Sequence, residues 1–103
     1  MEHVIGWMTT KRGKRSEFMA LSREFIEATR AEDGVLFFEL LPSEDEPEVV
    51  VAIEGYSSAE THRAHVGSAN FAKFWTLFQT YVVGGRFENV VSASTRTDVV
   101  RPD

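Results

Sequence analysis

The stretch "EVVVAIEGY", Glu48 to Tyr56, limits the folds open to this chain more than any other. A strand sends alternate side chains to opposite faces, and here Val49, Val50, Val51, Ala52 and Ile53 place apolar groups on both. The preceding run "VLFFELL" is apolar on both faces too, apart from Glu39. Between them, the prolines and acids of "PSEDEP" suit a solvent-exposed hairpin connection. The two runs are therefore expected to be antiparallel neighbours in a sheet that cannot leave either face in water.

The rest of the chain supplies one cover. His3 to Thr10 reads as a first strand ending at a Gly13 turn. From Lys14 to Glu32, Phe18, Leu21, Phe25 and Ala28 recur at helical spacing, predicting one amphipathic helix of about five turns stopped by Gly34. After Tyr56, Ser58 with Glu60 marks the start of a short helix interrupted at Gly67 and Ser68. Phe71, Phe74, Trp75, Phe78 and Val82 form the apolar face of a further helix, with Gly84 and Gly85 expected to end it. "RFENVVSASTRT" then reads as the last strand.

The resulting order, β-α-β-β-α-(α)-β, is the ferredoxin-like split βαβ arrangement, an α+β fold with an antiparallel sheet covered by helices on one face. The economical cover for the other face is the same sheet of an identical subunit, which predicts a homodimer. At 103 residues the chain is expected to be one domain, residues 1–98, followed by a short tail, residues 99–103. A formal charge of -5 and the lack of a basic stripe argue against nucleic acid. No apolar run approaches the ~20 residues of a membrane span, and "MEHVIGWM" lacks the features of a signal peptide. No membrane partner and a cytoplasmic location are expected. The absence of cysteine excludes disulfides, thiolate nucleophiles and Cys-type metal sites.

Two segments, "RGKRSEFMALSREFIEATRAEDGVLFFEL" and "EGYSSAETHRAHVGSANFAKF", resemble the antibiotic biosynthesis monooxygenase family, and the likeness extends over about residues 4–95. The resemblance implies a dimeric α+β barrel in which two ferredoxin-like sheets pack together. It also implies oxidation of a small phenolic, quinol-type or other hydrophobic metabolite with oxygen and no bound cofactor. The chain departs from the family pattern at Tyr56, His62, Ala69 and Asn70. At the positions that a haem-degrading branch uses for asparagine, tryptophan and axial histidine it has Gly6, His65 and Trp75, so haem binding is not implied.

Such chemistry asks for a dry, aromatic-lined pocket with a base or hydrogen bond that favours the substrate anion. His65 is the first candidate for the base, since histidine exchanges protons near neutrality; the bland alternative is a helix histidine that is merely hydrogen-bonded. His62, three residues earlier, either fills an apolar slot or joins His65, and no third ligand for a metal is evident, so no metal site is expected. Asn70 either caps the last helix or points into the pocket. Phe71 and Trp75 are core or pocket wall, with Trp75 best placed to show its N–H. Glu54 and Tyr56 share a face of the third strand, and Glu54 and Glu39 are expected to line the pocket or pair with an arginine such as Arg86 across the hairpin. Tyr81 and Arg86, around the "VVGG" turn, are candidates for the cavity mouth, and Gly6 and Met8 for its floor.

The reading that results is a cofactor-independent monooxygenase, with His65, Asn70 and Trp75 as its catalytic candidates. Two alternatives keep the fold: an isomerase-like acid–base enzyme on a small carbonyl metabolite, and a non-catalytic dimer that binds a small molecule.

Overall fold

The computed structural model describes residues 1–91. Its elements run β1 (Glu2–Thr10), α1 (Arg15–Leu21), α2 (Arg23–Arg30), β2 (Val35–Pro42), β3 (Val49–Tyr56), α3 (Ala59–Val66), α4 (Ala69–Tyr81) and β4 (Val82–Val91). The four strands form one antiparallel sheet in the order β2-β3-β1-β4. This is the ferredoxin-like α+β arrangement the sequence predicts, with the hairpin between β2 and β3 where "PSEDEP" lies. Residues 92–98 of the expected domain and the tail lie outside the described residues.

The single long helix is in fact two. Ser22 is fully buried, and its hydroxyl donates to the Phe18 carbonyl at 2.7 Å, while its own N–H reaches both Phe18 O and Met19 O. Such back-bonding competes with the regular ladder and interrupts a helix without stopping the chain. α2 ends earlier than expected, at Arg30 with Ala31 as its C-cap, and Gly34, with a φ of 81°, takes its left-handed conformation in the turn that leads into β2.

A second correction concerns Gly84 and Gly85. They do not end α4; they sit inside β4, opposite Thr9 and Met8 of β1. The helix stops at Tyr81 because the β-branched Val82 and Val83 enter the sheet directly. At the other end Ser68, not Asn70, caps α4, accepting from Phe71 N at 3.0 Å. Ser58 caps α3 as predicted, accepting from Thr61 N.

Strand parity then sorts the molecule. Val4, Met8, Phe38, Leu40, Val50 and Ala52 point toward the helices and are buried, where Phe18, Phe25 and Phe74 pack on them. The opposite face carries Ile5, Trp7, Phe37, Leu41, Val51 and Ile53, paired in register across β2, β3 and β1. No element of the described chain covers that face; Ile5 is 38% and Leu41 42% exposed. Among the described residues no helix is long and apolar enough to cross a membrane.

Candidate active site

Between the sheet and α2, α3 and α4 lies a cavity of about 290 Å³, at the small end of the ~300–1,000 Å³ typical of ligand sites. Its floor comes from two neighbouring rows of the sheet. One row runs Phe38, Glu54, Val4, Asn89 and the next Leu40, Ala52, Gly6, Phe87. Gly6 does not leave open space, because a Cβ there would collide with the Phe87 ring, which fills the slot. Phe25, Phe71, Phe74 and Phe78 close the cavity from the helix side. Trp75 stacks on Phe78 with ring centroids 5.1 Å apart and stands at the mouth, 48% exposed beside Val66.

The polar groups gather at one end. His65 is 2% exposed, ringed by Phe25, Phe38, Tyr56 and Phe71, and its Nδ1 lies 2.8 Å from Glu32 Oε1. This imidazole is thus buried and held by a hydrogen bond, a placement that suits a packed histidine as well as a base. Burial forces such a ring to find a partner, and the start of the α2–β2 turn supplies it. Asn70 stands behind this pair, not in the cavity. Its amide donates to Thr29 Oγ1 at 3.1 Å and lies 3.5 Å from Glu32 Oε1, so it orients the carboxylate that orients the imidazole.

His62 makes a second pair, its Nδ1 meeting the carboxylate of Glu2 on β1. Its ring stacks on Tyr56, centroids 4.5 Å apart. Tyr56 is fully buried beneath the site and donates its hydroxyl to Glu54 Oε1. Burial and the adjacent Glu54 carboxylate push the Tyr56 phenol far above its ordinary range, so it remains a donor. Glu54 itself, 8% exposed, has its pKa raised by burial, an effect only partly offset by the Tyr56 hydrogen bond and the nearby histidines.

The structure thus brings His65, His62, Glu54, Phe71, Met8 and Trp75 to one cavity, with Tyr56 and Asn70 as supports beneath and behind. It places three other groupings elsewhere. Arg86 lies on the opposite sheet face, its guanidinium 4.4 Å over the Trp7 ring. Glu39 is also on that face, opposite Ile53, and pairs with Arg30 at 3.0 Å, so Glu39 and Glu54 share no arginine. Tyr81 packs on Phe18 at the far end of the core, with its phenol toward Glu17, a hydrogen bond that raises its pKa. Sequence reasoning missed Glu2, Glu32, Phe87 and Asn89. Among the described residues no group of three or more His, Asp or Glu side chains is placed to hold a metal ion.

The model of the antibiotic biosynthesis monooxygenase family matches residues 1–76. The chain belongs to the antibiotic biosynthesis monooxygenase family. The match takes in both histidine pairs but not β4, whose Phe87 and Asn89 complete the cavity floor. Solved structures share the fold at low identity. The Mycobacterium tuberculosis protein Rv0793 is 24% identical with a TM-score of 0.82, covering 93% of this chain and 98% of its own. A crystal structure of an antibiotic biosynthesis monooxygenase is 22% identical with a TM-score of 0.81, covering 91% of this chain and 100% of its own. The Shewanella oneidensis protein SO0527 is 22% identical with a TM-score of 0.81, covering 86% of this chain and 87% of its own. No curated protein matches the sequence.

Proposed function

We propose that this family member is a homodimeric monooxygenase that oxidises a small, electron-rich phenolic or quinol-type arene with oxygen, using His65 as the base. The observation that carries the reading is the His65–Glu32 pair at the polar end of an otherwise aromatic cavity. With Glu32 accepting at Nδ1, the lone pair of the neutral ring is on Nε2, and the carboxylate stabilises the imidazolium that forms when Nε2 takes a proton. The phenylalanine walls exclude water and hold an arene flat.

The reaction balances with oxygen as the sole oxidant. His65 removes the phenolic proton, and the phenolate gives one electron to oxygen. Superoxide and the aryloxyl radical combine at a ring carbon, with a proton completing the hydroperoxide. Removal of the hydrogen on that carbon breaks the O–O bond and expels hydroxide, which takes up a proton. One phenol and one oxygen become one quinone and one water. The electrons come from the substrate, so the proposed steps draw on no bound cofactor. The uncovered apolar sheet face supports the dimer, because a second copy would bury it by a two-fold axis.

A buried Glu54 facing a carboxylate-backed His65 also offers an acid and a base to an isomerase-like reaction of a carbonyl metabolite. Oxygen separates the two. Uptake by the purified protein is measured with hydroquinones, naphthols and anthrones against a protein-free autoxidation control. The expected result is protein-dependent uptake with quinone formation, falling about 10²–10⁴-fold in His65→Gln. Turnover that proceeds without oxygen supports the isomerase-like reading, and uptake no faster than autoxidation contradicts the monooxygenase.

A further inference from the structure

The polar end of the cavity is lined by the carboxylate of Glu54 and by two imidazoles, with the carboxylates of Glu2 and Glu32 standing behind the rings. His62 is matched by Glu2 and His65 by Glu32, and each pair uses Nδ1. Glu54 is left without a cation of its own, and the hydrogen bond it accepts is from the neutral phenol of Tyr56. The basic side chains on the surrounding elements are turned away: Arg30 to Glu39, Arg63 to Glu60, and Arg86 onto Trp7. Among the described residues neither arginine nor lysine lines the cavity.

A buried carboxylate is costly unless something supplies the opposite charge. Glu54 lines the cavity while only 8% exposed, and the walls around it are aromatic rings, whose faces attract cations as well as hydrocarbons. An anionic ligand would meet the Glu54 carboxylate, while the two imidazoles beside it already face the carboxylates of Glu2 and Glu32. We propose that the ligand of this cavity carries a basic nitrogen on an aromatic frame, and that its ammonium group pairs with Glu54. The inference rests on reading this cavity as the substrate site and narrows that substrate to an amine-bearing arene. The phenolic oxygen would then be served by His65 and the nitrogen by Glu54.

Binding can be read without turnover. Isothermal titration of the full chain with naphthylmethylammonium, naphthalenemethanol and naphthoate compares one frame carrying a cation, a neutral group and an anion. The expected order is ammonium tightest, about tenfold over the alcohol, with naphthoate weakest. Glu54→Gln should bring ammonium and alcohol to equal affinity. The proposal is overturned if the ammonium binds no better than the alcohol, if its advantage survives in Glu54→Gln, or if none of the three binds. Amine preference without oxygen uptake would instead sink the monooxygenase reading and leave this one standing.

Discussion

The two faces of the sheet are built from the same strands and are equally apolar at first sight, yet they have different chemistry. On the helix-covered face the titratable groups around the cavity are buried or half-buried and set in pairs: Glu32 on His65, Glu2 on His62, Tyr56 under Glu54. On the open face the charges stay at the surface and sit over hydrophobic groups, as Arg86 does on Trp7 and Glu39 beside Arg30. A buried polar group has to be positioned by the fold, whereas an exposed one is free to find water. The first face is therefore the one that can hold a substrate in a fixed geometry, and the second is suited to packing against another apolar surface.

Adjacent residues of β3 give the sharpest contrast. Ala52 is 1% exposed on the cavity floor, while Ile53 points to the open face. Lysine at position 52 would force a long charged side chain into the packed floor between Gly6 and Leu40, and we expect Ala52→Lys to cost several kcal/mol, on the order of 3–5, seen as a large drop in melting temperature. Ile53→Lys should leave the subunit folded by circular dichroism but abolish the proposed dimer, giving a monomeric mass by light scattering. Equal loss of folding in both variants would erase the distinction between the faces.

A smaller effect follows from Glu54. Its folded-state pKa is raised above the ordinary value of 4.5 by burial, so the folded protein binds more protons than the unfolded chain above that value. Stability from this group is full at acid pH and is lost as pH rises through the folded-state pKa. Glu54→Gln removes the loss, so its melting temperature should gain on that of the wild type between about pH 4 and pH 8. A constant difference across that range would show that folding does not raise the Glu54 pKa.

Smallest of all is the open-face ion pair. Within the single subunit both Arg30 and Glu39 are substantially exposed, and Glu39→Gln should cost less than about 1 kcal/mol in urea unfolding at a dilution where the protein is monomeric. A larger cost would mean that something covers that face and excludes water from the pair.

Much of this was legible in the sequence, and the part that was not shares a cause. Strand parity and hairpin punctuation predict the element order, and with it the common face of Ala52, Glu54 and Tyr56. The same parity, applied to β2, would have put Glu39 on the face opposite Glu54 and ruled out a shared arginine. Ser22 was hidden because its effect lies in one side-chain hydrogen bond inside an unbroken helical pattern. The carboxylates behind the histidines come from β1 and from the α2–β2 turn, 60 and 33 residues away in the chain. No local spacing encodes such a meeting. Phe87 did leave a trace: a glycine at position 6 in an otherwise bulky strand signals a neighbour that needs the room.

The most direct test of the account is a crystal structure of the protein with a bound naphthol. The ring should lie in the cavity among Phe25, Phe71 and Phe74, with its hydroxyl within hydrogen-bond reach of His65 Nε2. A naphthol seated on the open sheet face, or one in the cavity with its hydroxyl turned to Trp75 at the mouth, would contradict it.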